Sequence, residues 1–342
     1  MNRKFLNNIA ILTLCFLMTM VIYAQKTEHV GTSMANFLKI GVGPRAIAMG
    51  DAFVALSDDA SSLYWNPAGI ARVTKNEILI QATQWIAETN LYYLGLVVPL
   101  GDLGTLGASF YNFSSGDIEE TTVRQPEGTG RTFSASNLSI GITYSRLLTD
   151  RFSVGFSLKY INETLSREDA SAFAFDIGSI FTTNFLNEMR LGIALTNLGS
   201  SMELDGPDLI FNYDVAPDVP TNKTVDAKFG TQSWDLPLTF RIGMGTYVFN
   251  NNNNSLAVEV DLYDTRDYKP RYNIGSEYTI KLIGEQKVSL RAGYKGNYDE
   301  EGLTLGGGLF LRLANFDFKI DYAFADVNRL GNVHRYSLSI LF

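Results

Sequence analysis

Phe316-Asp317-Phe318-Lys319-Ile320-Asp321-Tyr322-Ala323-Phe324 places large apolar side chains at every even position and Asp, Lys or Ala at every odd one. A period of two is a β-strand with two unlike faces. The same pattern recurs along the chain. Phe152-Val154-Phe156-Leu158-Tyr160 alternates with Ser153-Gly155-Ser157-Lys159, and Leu238-Phe240-Ile242-Met244 alternates with Thr239-Arg241-Gly243-Gly245. Val288-Leu290-Ala292-Tyr294 alternates with Ser289-Arg291-Gly293-Lys295. A soluble β-sandwich also alternates, but its strands cluster around 5–6 residues, and these run about 10–14. Its polar face would also not need Arg241, Arg291, Lys295, Asp317, Lys319 and Asp321 in mid-strand. Strands of about 10 residues that are apolar outside and polar inside are the signature of a transmembrane β-barrel.

Candidate strands cover residues 76–86, 90–99, 103–113, 136–148, 151–164, 170–183, 189–199, 236–249, 255–264, 271–283, 286–296, 303–313, 315–324 and 333–342. Their number, fourteen, is even, as single-chain bacterial barrels require. Every second link is short, such as Gly101-Asp102, Thr149-Asp150 and Gly284-Glu285, whereas the stretches 114–135 and 200–235 are long. Tight periplasmic turns and longer outer loops produce this asymmetry. A closed sheet leaves no edge without partners in lipid, so the last strand must pair with the first. The expected fold is thus all-β, a transmembrane antiparallel barrel of about 14 strands. Phe240 and Ile242 should face hydrocarbon, while Arg241 and Gly243 face a lumen roomy enough to tolerate Gly243→Ser.

Residues before the barrel read differently. Met1-Asn2-Arg3-Lys4 is a basic start, Ile9 to Tyr23 is uncharged and mostly apolar, and Ala24 precedes Gln25. This predicts a signal peptide over residues 1–24, because about 15 apolar residues fall short of the roughly 20 a spanning helix needs. Removing it takes away Cys15, the single cysteine, so disulfides and thiolate chemistry are excluded from the remainder. The formal charge of −8 becomes −10, since residues 1–24 hold two basic and no acidic side chains, which argues against a nucleic-acid partner. Residues 25–75 are expected to form a helical plug, and residues 76–342 the barrel. Between Gly43 and Ala71 the apolar residues Ala46, Met49, Phe53, Leu56, Ala60 and Leu63 recur at helical spacing. Pro44 suits a first helical turn, Ser57-Asp58-Asp59 can cap a second helix, and Asn66-Pro67 stops it.

The stretch 41–70 also carries Arg45-Ala46, Met49-Gly50, Ala52-Phe53-Val54-Ala55, Asp58-Asp59-Ala60 and Trp65-Asn66-Pro67-Ala68-Gly69. On these elements the chain resembles the PorV/PorQ family, within the FadL-like group of outer-membrane transporters of hydrophobic compounds. The resemblance implies a 14-stranded barrel in the bacterial outer membrane. It also implies an N-terminal hatch containing Asn66, Pro67, Ala68 and Gly69, and association with a type IX secretion translocon and its cargo. FadL-like relatives imply the alternative of hydrophobic-solute transport. The chain is short for a fatty-acid transporter, which favours the export reading. The ending Tyr336, Leu338, Ile340 and Phe342 resembles the C-terminal signal that the barrel assembly machinery reads before insertion into outer-membrane lipid.

Other candidates have plainer readings. Arg45 with Asp58 and Asp59 is either a lumenal ion pair or a solvated arginine beside a helix cap. Gly41-Val42-Gly43 and Gly306-Gly307-Gly308 lack the strand–turn–helix context of a phosphate loop, and the triple glycine instead lets the plug approach the wall. His29 and His334 have no partner at zinc spacing, so no metal and no cofactor are expected, and no catalytic constellation is visible. The acidic stretches Glu119-Glu120, Asp264–Asp267 and Asp299-Glu300-Glu301 read as solvated outer loops. Trp65, Trp85 and Trp234, Trp85 foremost, can form interfacial girdles. In loop 200–235, Leu209-Ile210-Phe211 can line a greasy pocket, favouring transport, or an exposed patch, favouring a docked partner.

Overall fold

The computed structural model describes residues 30–216, 218, 224–313 and 315–342; the proposed signal peptide, Cys15 and His29 lie outside the described residues. Among the described residues sixteen strands follow the plug in chain order. The first seven are β1 (Glu77–Gln84), β2 (Asn90–Pro99), β3 (Thr105–Glu119), β4 (Thr132–Thr149), β5 (Phe152–Leu165), β6 (Glu168–Thr182) and β7 (Arg190–Gly199). Next come β8 (Ile210–Tyr213) and β9 (Val225–Lys228), which pair only with each other. The last seven are β10 (Thr239–Asn250), β11 (Asn254–Thr265), β12 (Arg271–Lys281), β13 (Lys287–Gly296), β14 (Leu303–Leu313), β15 (Phe316–Asp326) and β16 (Asn332–Leu341). With β8 and β9 set aside, fourteen strands form one closed antiparallel barrel in which neighbours in sequence are neighbours in space.

Closure is made by β16 on β1, in register from Glu77 opposite Leu341 to Thr83 opposite Arg335. Asn76 and Phe342 extend it by exchanging both backbone hydrogen bonds, at 3.2 and 3.0 Å. The two closing strands thereby give each other the backbone partners that lipid could not supply. The faces sort by polarity. Phe240 and Ile242 are exposed outside, while Arg241, Arg291, Lys295, Asp317 and Asp321 are buried inside. Among the described residues no helix is long and apolar enough to cross a membrane.

Strand boundaries deviate from the sequence pattern at one hairpin. β3 runs to Glu119 and β4 starts at Thr132, so the predicted loop 114–135 shrinks to residues 120–131. The ribbon 114–119 is mostly Ser, Gly and acid, and beyond hydrocarbon no apolar face is needed to hold a strand. The long loop also contains structure, the β8–β9 hairpin, whose four-residue strands are too short to show a period.

The N-terminal segment fills the lumen, as a plug rather than as a continuous helical hairpin. Helical turns are confined to α1 (Pro44–Ala48), α2 (Ser62–Trp65) and 3-10 turns at Asn36–Lys39 and Pro67–Arg72. Ala46, Met49, Phe53, Leu56, Ala60 and Leu63 are all buried, but they do not share one helical face. The chain leaves α1 through Gly50 and Asp51, both at positive φ (67° and 64°). At Gly50 a Cβ would stand 2.7 Å from the Tyr294 amide, so the plug backbone lies directly on the wall. Helical spacing there reflects burial on all sides: the Asp51 and Ala52 amides still bond back to Ala46 O and Met49 O, and those of residues 53–56 bond to the wall instead of to a helix. Nor do Ser57-Asp58-Asp59 cap α2. Asp59 closes a turn onto the Ser61 amide and hydroxyl (2.9 and 2.5 Å), and α2 has no side-chain cap.

Candidate functional site

Three polar seats stand out among the contacts between plug and wall. The first is built on Arg45, in α1. Its Nη1 donates to Asp58 Oδ1 at 2.7 Å and Asp59 Oδ2 at 3.0 Å, while Nε and Nη2 grip both oxygens of Glu277 on β12, each at 2.9 Å. Glu277 also accepts from Arg291 Nε at 2.6 Å, and Arg291 Nη1 continues to Asp321 Oδ1 at 2.6 Å. Arg45 with Asp58 and Asp59 is therefore an ion pair inside the barrel, not a solvated arginine beside a cap. Two-pronged guanidinium–carboxylate contacts fix orientation as well as charge. Burial would raise the Asp58 carboxyl, but the attraction of Arg45 and Arg190 outweighs it and holds the group below its ordinary value.

A second seat was not visible in the sequence. Glu259 and Asp261, alternate inward positions of β11, accept hydrogen bonds from four successive plug amides. Phe53 and Val54 donate to Asp261 Oδ2 at 2.9 and 3.1 Å, and Ala55 and Leu56 donate to Glu259 at 2.5 and 3.1 Å. Both carboxyls are buried. Non-helical chain inside a lumen must find acceptors for its amides, and these two side chains supply them. Glu259-x-Asp261 has the strand's own period of two, which is the only trace it leaves in sequence.

Asn66-Pro67-Ala68-Gly69 forms the third. The Asn66 Nδ2 donates to Val54 O (2.9 Å) and to Ser179 O of β6 (3.2 Å), and Oδ1 accepts from the Ala68 amide (3.1 Å). One amide thus ties two plug segments to the wall and caps the turn Pro67–Arg72. Gly155 and Gly178 make the approach possible: a Cβ on Gly155 would overlap Pro67, and one on Gly178 would overlap Asn66 Oδ1. Ala68 O accepts from the Ser145 hydroxyl at 3.3 Å. Gly69 has no room for a side chain, since a Cβ would stand 2.6 Å from Ser57 Oγ and 2.7 Å from Ser62 Oγ.

Several surface readings need correction. Trp65 is buried in the plug, donating Nε1–H to Val42 O at 2.7 Å, and so belongs to no girdle. Trp85 lies over the Arg335 guanidinium at 4.6 Å, on the lumenal side. Two acidic stretches are not simply solvated. Asp267 is buried and accepts from Lys39 Nζ at 2.6 Å and from Ser33 Oγ at 2.8 Å, and Glu301 pairs with Lys295. Gly243 does face inward, but a Cβ there would overlap the Asp261 carboxylate, so Gly243→Ser is not innocuous. Gly306 meets Ala48 of the plug, its Cβ position lying 2.5 Å from the alanine methyl. The outward residues Tyr336 and Leu338 and the end residue Phe342 are exposed, and Ile340 is half-buried. His334 hydrogen-bonds Tyr322 through Nδ1 at 2.8 Å. Among the described residues no cluster of three His, Cys, Asp or Glu side chains could hold a metal ion.

Solved structures of hydrocarbon channels and transporters share this fold. The Pseudomonas putida toluene transporter TodX superposes with a TM-score of 0.57 at 12% identity, over 88% of this chain and 96% of that one. The Ralstonia pickettii toluene transporter TbuX gives 0.55 at 11% identity, over 88% and 97%. The monoaromatic hydrocarbon channel CymD gives 0.55 at 13% identity, over 88% and 96%. At these identities the likeness shows the fold alone. Comparison with curated proteins returned no match. The family model for the type IX secretion system protein PorV matches residues 23–265, which include the plug, its Asn-Pro-Ala-Gly element and the strands up to β11. The chain belongs to the PorV family of outer-membrane β-barrel proteins.

Proposed function

We propose that this barrel serves type IX secretion as a non-enzymatic docking partner, binding a translocon component or a secreted cargo protein at its long-loop end. The observation that carries this reading is the β8–β9 hairpin in the link between β7 and β10. Phe211 stacks on Phe229 at 4.3 Å, and Ile210, Tyr213, Val225 and Phe229 are exposed, the last at 59%. Apolar side chains exposed together on a hairpin outside the barrel wall suit a protein partner. The loop is anchored beneath them, because Met202 and Leu236 are buried and Met202 exchanges backbone bonds of 2.8 Å with Trp234.

In this reading residues 1–24 are the signal peptide, 25–75 the plug and 76–342 the barrel; an intact mass beginning at Gln25 checks the first boundary. Arg45, Asp58, Asp59 and Asn66–Gly69 hold the hatch shut. Tyr336, Leu338, Ile340 and Phe342 address the chain to the barrel assembly machinery. The competing reading, transport of a hydrophobic small molecule, draws support from the names of the structural neighbours. It would be served by an apolar cavity, whereas the cavity above the plug is lined by Lys39, Asp51, Arg241, Lys295 and Arg335 among others.

Replacing residues 206–230 with a short Gly-Ser turn separates the two. The barrel should insert normally while co-purification with translocon or cargo from native membranes, and cargo release, are lost. Normal export by this variant would refute the docking role. Loss of aromatic-hydrocarbon uptake in a variant with an intact hairpin and a perturbed plug would favour transport.

A further inference from the structure

We infer that the cavity between the plug and the long-loop end of the barrel binds a small organic monocarboxylate through Arg241, Arg271 and Arg335. This site does not depend on the export role. The cavity has a volume of about 240 Å³, below the roughly 300–1,000 Å³ of pockets for drug-sized ligands, so it suits a smaller molecule. Its floor is the plug at Ile40, Gly41 and Asp51, and its mouth is formed by Trp85, Tyr298 and Leu330 from three different loops.

The arginines are what an ordinary polar lumen does not explain. Burying a guanidinium is costly unless charge and hydrogen bonds compensate it. Arg335 is only 2% exposed; its Nη1 donates to Gly41 O at 2.5 Å, and its Nε has no hydrogen-bond partner among the described residues. Arg241, 4% exposed, reaches Thr196 Oγ1 at 3.3 Å. Among the described residues none of the three has a carboxylate oxygen within 4.0 Å, the distance that defines an ion pair here. The other two cations of the cavity lining do: Lys295 sits between Asp51, at 2.5 Å, and Glu301, and Lys39 holds Asp267.

Aromatic rings orient the free guanidinium groups. Arg335 lies over Trp85 at 4.6 Å, Arg241 over Tyr263 at 5.0 Å, and Arg271 between Tyr268 and Tyr298 at 4.3 Å from each. Stacking covers the faces and leaves the N–H edges, which match a carboxylate in two-pronged geometry. The same rings offer flat walls to a planar body.

Charge sets the ligand's valence. Glu300 is taken by Arg329, and Asp299 is the remaining carboxylate of the lining. With Asp267 and Arg329 included, six cations face five carboxylates, an excess of one positive charge. A monoanion balances it, whereas a dianion such as phosphate would meet Asp51, Asp299 and Glu301 with charge to spare.

The test is calorimetric titration of the full-length protein in detergent micelles with sodium benzoate. Toluene, benzylamine and inorganic phosphate serve as comparison probes. Benzoate should bind saturably at one site, tighter than all three. Arg335→Gln should weaken it roughly tenfold or more, the scale of one lost charge-assisted bond. Arg271→Gln, at a half-exposed position near the cavity mouth, should do likewise without threatening the fold, which heat-modifiable gel mobility verifies. No saturation by roughly 10 mM benzoate, equal binding of toluene, tighter binding of phosphate, or unchanged affinity in both folded variants would each overturn the assignment.

Discussion

Asn66 shows what one side chain can hold. Its amide serves Val54 O, Ser179 O and the Ala68 amide at once, with no exposed surface. Asn66→Ala leaves the buried Ala68 amide without its acceptor and removes one donor each from Val54 O and Ser179 O, and should cost roughly 1–3 kcal/mol of plug seating. Asn66→Asp keeps the acceptor for Ala68 but loses both donations, so it should resemble alanine rather than wild type. Amide exchange over residues 66–70, followed by mass spectrometry, reads the effect; unchanged protection in both variants would show that proline and packing hold the turn alone. Part of this was legible. The helix stop at Asn66-Pro67 is local chemistry, because proline restricts its predecessor whatever surrounds it. The environment of Gly243 was not, because the carboxylate that fills its space, Asp261, lies on the neighbouring strand. Trp65 misleads for a related reason: its indole suits a headgroup boundary and a buried carbonyl equally well, and only the plug's path selects the second.

Elements were legible in proportion to how much of their pattern the membrane imposes. All fourteen barrel strands correspond to predicted ones, because lipid on one side and a polar lumen on the other enforce alternation over the whole span. Where that constraint ends, so does the signal, as the polar ribbon of β3 and β4 and the short β8 and β9 show. The plug is the opposite case. It is buried on every side, so apolar spacing carries no information about its backbone, and two wall carboxylates take amides that a helix would have satisfied internally. Glu259 and Asp261 should then be what holds the turn at residues 53–56 against the wall. Glu259→Ala with Asp261→Ala leaves four buried N–H groups without acceptors, at about 1–3 kcal/mol each before any rearrangement. The expected outcome is an inserted barrel whose plug opens locally, read as faster exchange at 53–56 and greater permeability to small antibiotics. Wild-type exchange at those amides would mean that Arg45 and Asn66 suffice to seat the segment.

At the scale of the whole molecule, the barrel depends on closure and on which face meets lipid. Closure puts the chain's last residue to use, because Phe342 exchanges both backbone bonds with Asn76 and stands 6.4 Å, ring to ring, from Phe316. Deleting Phe342 should therefore slow insertion, seen as lost heat-modifiable mobility, and normal insertion would remove its assembly role. Facing is tested on β10, where the inward Arg241 and the outward Ile242 are adjacent. Arg241 contacts Thr196 and the rings of Tyr64, Trp65 and Tyr263, which places it on the lumenal face. Ile242, 40% exposed, has only hydrocarbon available outside. An arginine there near the midplane costs about 2–4 kcal/mol, so Ile242→Arg should impair insertion sharply. Gly243→Ser no longer serves as the mild control, since its hydroxyl would displace the Asp261 carboxylate from the plug. Ser289→Ala, at an inward position of β13 that loses one hydroxyl contact with Thr279 (2.8 Å), takes its place. Single cysteines at 240, 241 and 242, labelled in a chain otherwise without thiols beyond Cys15, provide the direct readout. A lipid-phase quencher should reach 240 and 242 and spare 241. Uniform quenching, or an Ile242→Arg protein that inserts as well as Ser289→Ala, would mean that this face does not meet lipid, and the barrel's orientation in the membrane would have to be drawn again.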